Sequence, residues 1–108
     1  MLDVTPLTAA VDRFADRLRA APESRLRVGA AAEGLALARE LALRAQRLET
    51  PEGPQRTMPD AGLFAVADQL AVAGHDLALA LRARETAPSG ELDEAVRLVE
   101  EAEARALR

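Results

Sequence analysis

The chain reads as an all-α protein, an antiparallel up-down four-helix bundle whose second and third helices are long and central. Three observations predict it. Apolar residues recur at helical spacing over four stretches, and no segment alternates convincingly with a period of two. Breaks rich in proline and glycine separate the stretches. The connections are short enough that consecutive helices are expected to turn back on one another. With 108 residues the chain is expected to form one domain, 1–108, whose core needs no covalent staple.

The first helix is expected to start with Thr5 as N-cap and Pro6 in the first turn, where its missing N–H costs nothing. Leu7, Val11, Phe14, Leu18 and Ala21 form its buried stripe. Pro22-Glu23-Ser24 interrupts the chain, and the second helix then runs to about Glu49 with Ala30, Gly34, Leu37, Leu41, Ala45 and Leu48 inward. Thr50–Pro59 holds three prolines and a glycine and reads as a loop. The third helix, capped by Asp60, is expected to reach about Glu85 with Leu63, Val66, Leu70, Leu77 and Leu81 as its core stripe. Thr86-Ala87-Pro88-Ser89-Gly90 is the last turn, and Leu92, Ala95, Val96, Val99, Ala102 and Ala106 face inward on the fourth helix.

The central helices should span roughly 38 Å and the outer two about 25 Å. If the central pair is a hairpin, Gly34 lies level with Gly74 and His75, which favours close backbone approach. The outer helices would join at the end away from Thr50–Pro59. The third of the hairpin nearest that loop, around Leu41–Leu48 and Leu63–Ala67, would then need cover from residues 1–4, from the loop with Met58, or from another protomer.

The third helix carries the functional expectation. From Ala61 to Ala83 its polar side chains are only Asp68, Gln69, His75, Asp76 and Arg82. Asp68, His75 and Arg82 form one stripe, and Phe64, Val72 and Leu79 fall in the same sector, opposite the core face. A helix apolar nearly all round is central or shared with a partner. The expectation is a small non-enzymatic interaction or scaffolding protein, a homodimer or the partner of another helical protein. Phe64, Val72 and Leu79 would form its interface, and Asp68, His75 and Arg82 would set the register. Leu35 and Leu43 on the second helix, outside its core stripe, are expected to contribute.

Composition narrows the alternatives. There is no cysteine, so disulfides and thiolate metal sites are excluded, and a reducing cytoplasm is expected. The N-terminus lacks the pattern of a signal peptide. The third helix is long enough to span a bilayer, but its charged side chains would be costly in lipid, so a membrane role is not expected. Net charge is −4 with fourteen arginines and no lysine. That balance argues against general nucleic-acid binding, and two phenylalanines provide no stacking platform for single strands. The Ala/Leu/Arg-rich composition fits a GC-rich, actinobacterium-like coding bias. No cofactor and no metal site are expected.

Four constellations carry residual chemistry. His75, the one histidine, sits in His75-Asp76-Leu77, which resembles the start of the histidine box of sensor-kinase dimerisation domains. More loosely it is similar to histidine-containing phosphotransfer domains, four-helix bundles of this size. The resemblance implies a phosphorelay or ligand-responsive module with His75 as phosphoacceptor and Asp76 as its acidic neighbour. Ala78 stands where both families carry a basic residue. Second, Arg17, Arg19, Arg25, Arg27, Arg82 and Arg84 are expected to converge at one end of the bundle. Third and fourth, Glu91/Glu94 and Glu100/Glu103 have the spacing of magnesium-binding pairs in helical nucleotide pyrophosphohydrolases. Neither pair has a matching pair on the other helices, so a solvated acidic face is expected.

Overall fold

The computed structural model describes residues 2–84 and 90–108, and the described residues are helical with irregular connections. The expected turn at residues 86–89 and the helix end at Glu85 lie outside them. Helix α1 covers Thr5–Ala20, the single turn α2 covers Glu23–Arg25, and α3 covers Ala31–Glu49. Helix α4 covers Val66–Ala83 and α5 covers Glu91–Ala106. A four-helix bundle of α1, α3, α4 and α5 follows from their mutual packing.

Helix starts follow local chemistry, with small departures from the sequence reading. Thr5 is not the cap but the first helical residue: its N–H donates to Asp3 Oδ1 at 3.0 Å, while Val4 is buried and its carbonyl accepts from Leu7 and Thr8. Asp60 does not cap α4. Its Oδ1 accepts from the Gly62 N–H at 2.9 Å in a local turn, and a 3₁₀ turn at Leu63–Ala65 precedes the helix. The expected second helix is broken at Gly29, inside a widened turn at Leu26–Ala30, where φ is +155°. That backbone conformation is open to glycine and strained for other residues.

The inward faces are those the periodicity predicts. Leu7, Val11, Phe14 and Leu18 of α1 meet Leu37 and Leu41 of α3, Leu70, Leu77 and Leu81 of α4 and Val99 of α5 in one continuous apolar cluster. Ala21, Leu48, Leu63, Leu92 and Val96 are half-buried at its margin.

The directions of the helices differ from simple up-down order. A methyl group on Gly34 would stand 2.8 Å from Val66 Cγ1, so the N-terminal ends of α3 and α4 lie side by side and the two helices run parallel. Asp12 pairs with His75 and Arg19 with Asp68, which sets α1 antiparallel to α4. Arg44 lies 3.9 Å from both Glu91 and Glu94, and Arg105 pairs with Glu33 at 3.1 Å, so α5 is antiparallel to α3. Helix α1 packs on α4 and α5, and α5 packs on α3 and α1, in the ring α1–α4–α3–α5.

The segment after α3 is therefore a crossover that returns along the helix. Gln46 holds the backbone of Arg56 from both sides, donating to its carbonyl at 2.9 Å and accepting from its N–H at 2.7 Å. One step further back, Arg39 Nε donates to the Met58 carbonyl at 2.8 Å. Gly62 and Leu63 finally line a groove with Leu26, Ala31 and Leu35, near the start of α3. Bundles with such long crossovers obey the same packing rules as up-down bundles. The connectivity also removes the uncovered third expected of a hairpin: the start of α5 lies beside Arg44, and Leu41 and Ala45 are buried. Gly34 is level with Val66 rather than with Gly74, which instead meets Val11 of α1.

Candidate interaction surface

Helix α4 is packed on two sides, against α3 and α1, and open on a third. Val66, Leu70, Ala73, Leu77 and Leu81 fill its core face, and Gly74 lets α1 approach closely. On the open face stand Val72, 58% exposed, and Leu79, 63% exposed; Phe64, in the turn just before the helix, is 74% exposed. Phe64, Val72 and Leu79 are thus displayed to solvent, as the sequence predicts, since at 100° per residue they fall away from the core stripe.

The polar residues of the same sector are arranged differently from a set of free register pins. Asp68 Oδ1 accepts from Arg19 Nη2 at 2.8 Å, and His75 Nε2 lies 2.8 Å from Asp12 Oδ1. Arg82 is exposed, and its charge helps hold the Asp3 carboxyl below its ordinary value, behind the larger effect of hydrogen bonds from Thr5. The hydrogen bond to Asp68 holds the Arg19 guanidinium above its ordinary value. The stripe thus borders the α1–α4 seam. Asp12 and Arg19, seven residues apart and in the same acid-then-base order as Asp68 and His75, are its missed partners across antiparallel helices. That matched spacing is the sequence signal that would have revealed them.

Leu35 is a correction. It was expected at the interface but is buried, 8% exposed, beside Leu63 and Val66. Residues 35, 39, 43 and 46 form one row along α3, and the crossover follows that row through its bonds to Arg39 and Gln46. Leu43, in the same row, is half-buried. The chain's own crossover, which no helical periodicity encodes, is the physical reason. Leu2, 42% exposed, and Val28, 88% exposed, are apolar groups outside the sequence reading.

The other constellations resolve into local pairing. His75 is exposed, but its partner is Asp12 rather than Asp68 or Asp76. Because α3 and α4 are parallel, Arg82 and Arg84 lie at the end away from Arg17, Arg19, Arg25 and Arg27, so the six arginines do not converge. Arg17 is 3.1 Å from Glu103, Arg27 pairs with Glu23, and Arg19 also pairs with Asp16. Glu103 is buried between Arg13 and Arg17, while Glu91 and Glu94 face Arg44. Among the described residues no group of three His, Asp or Glu side chains could hold a metal ion. The stretch Leu63–Ala83 is long and apolar enough to cross a membrane by length and composition. Comparison with known proteins returns no match to any family model, curated protein or solved structure.

Proposed function

We propose that this is a small non-enzymatic helical interaction protein that associates with itself through the open face of α4. The observation that carries the reading is the exposure of Phe64, in the turn before α4, and of Val72 and Leu79 on the helix itself. Burying one such side chain stabilises by about 1.5–3 kcal/mol, a gain the isolated chain leaves unrealised. Several large apolar side chains displayed on one open face are the kind of surface on which proteins meet. A second copy is favoured as partner because two-fold association is the commonest closed arrangement.

A soluble setting, with the cytoplasm as its compartment, is part of the proposal. Asp68, His75, Asp76 and Arg82 on the open face would all be costly in hydrocarbon, and a cysteine-free chain suits a reducing compartment. Sedimentation of the full chain at micromolar concentration tests the reading. The expected species is a dimer, and Phe64→Asp shifts it to monomer with unchanged helicity by circular dichroism. A monomeric unmodified chain would refute it.

A phosphorelay role for His75 is the second reading, favoured by the exposure of its ring. It ranks lower because Asp12 already engages Nε2 and Ala78 follows where a cation belongs. Incubation with acetyl phosphate or a phosphorylated response regulator tests it. The phosphorelay reading requires an acid-labile label on His75; the interaction reading expects none.

A further inference from the structure

We propose that the groove where α2 and the widened turn meet the end of α5 binds a phosphoryl oxyanion. The groove has a volume of about 430 Å³ and is lined by Arg25, Arg105 and Arg108, with Glu33 as its single acidic side chain. None of its lining comes from α4, so the site stands apart from the proposed self-associating face. Elsewhere in this acidic chain carboxylates hold the arginines, as Asp16 and Asp68 hold Arg19, Glu40 holds Arg44, and Glu94 and Glu101 hold Arg97. In the groove they do not. Among the described residues Arg25 and Arg108 engage no carboxylate. Arg105 gives only its Nε to Glu33 Oε2, at 3.1 Å, and both Nη groups remain for a ligand. The lining sets three guanidiniums against one side-chain carboxylate, and the balance stays positive even with a terminal carboxylate on Arg108.

The side-chain chemistry selects the anion. A guanidinium presents a planar fork that pairs two phosphate oxygens at once, and converging forks neutralise a dianion, where a monocarboxylate needs only one. A cleft lined by one sign of charge also concentrates the opposite ion. On the other side of Arg25 a second hollow is lined by Arg17 and Leu107. There the buried carboxylate of Glu103 meets two guanidiniums, Arg13 and Arg17, so the positive excess continues past the groove. None of the groove's lining residues is aromatic, so a nucleobase finds no stacking surface and the phosphoryl group is the part recognised. Val28, 88% exposed, supplies an apolar stretch of wall. A methyl group on Gly29 would meet nothing within 4 Å, so the space beside Val28 is open. A phosphoryl group carried on an organic molecule thus has an apolar side chain to rest on, which free phosphate does not use.

Amide NMR of the full chain, titrated at fixed ionic strength with inorganic phosphate and separately with phenyl phosphate, tests the site. Saturable shifts are expected in residues 25–33 and 104–108. Arg25→Gln and Arg108→Gln should each weaken binding about tenfold, the loss of one charge-assisted pair. Arg47→Gln, which removes an arginine outside the groove, should leave binding unchanged. Tighter binding of phenyl phosphate, with the advantage lost in Val28→Ser, would assign the phosphoryl group to an organic ligand. Equal binding of the two would assign the site to free phosphate. Absence of saturable shifts up to millimolar ligand would overturn the proposal. So would an equal loss in Arg47→Gln, the mark of general attraction to arginine. All four substituted side chains are exposed, and circular dichroism of each variant checks that the fold is retained.

Discussion

At Gly74 the missing side chain decides how near α1 comes to α4. A methyl group there would sit 2.5 Å from Val11 Cγ1 and 2.6 Å from Cγ2, and Val11 is fully buried and cannot swing away. Gly74→Ala gains about 1 kcal/mol in helix propensity. Overpacking costs about 1–3 kcal/mol. The expected outcome is a lower thermal midpoint than the native chain, with Val11→Ala in the same molecule recovering part of the loss. A raised midpoint would mean that α1 yields without cost. Close approach at Gly74 is legible in the sequence, because a glycine inside a strongly periodic apolar helix needs a packing reason. Its partner is not, since 3.6-residue periodicity specifies which face is inward but not which helix the face meets.

Among the elements, the crossover between α3 and α4 is the part that local pattern misjudges. Three prolines and a glycine in Thr50–Pro59 announce non-helical chain, and the segment is indeed irregular. They do not say whether it turns or travels. Length was the usable clue: the residues from Thr50 to Gly62, extended at about 3.3 Å each, reach some 43 Å. The 19 residues of α3 rise only about 28 Å. Besides Met58, which packs against the core, the segment is held by hydrogen bonds from Arg39 to Met58, between Gln46 and Arg56, and from Gln69 to the Pro59 carbonyl at 2.8 Å. Arg39→Ala should cost about 1 kcal/mol, the worth of one ordinary intramolecular hydrogen bond, and Gln46→Ala, which loses two, about 2 kcal/mol. Amide exchange should quicken across residues 50–62 before it quickens in α1. Uniform acceleration throughout would show that these bonds hold the whole fold rather than the crossover.

For the molecule as a whole, the four helices and their inward residues were readable from the spacing of leucine, valine and alanine. The order in which the helices pack was not. Core stripes on α3 and α4 are compatible with either direction, and the short-connection rule favoured the hairpin. The exposed apolar face of α4 survived that error because it depends on the helix's own periodicity, not on its neighbours. Leu35 did not survive it: once the crossover passes over α3, a residue outside the core stripe is covered by the same chain.

The parallel setting of α3 and α4 has a consequence for how the chain reaches its native state. Its most extensive helix contact brings residue 34 to residue 66 and cannot form until the intervening segment has looped back. Closing a loop of that length is an entropic toll on the folding transition state, so refolding should be slower than in a hairpin-built bundle of equal size. Deleting residues 51–58 leaves a tether of about 17 Å, too short to carry α4 back to the start of its own α3. Such a chain should exchange α4 with a neighbour and assemble as a swapped pair. The swapped pair should persist in the Phe64→Asp background, as size-exclusion chromatography at several concentrations would reveal. A folded monomer from the shortened chain would mean that another tether path exists.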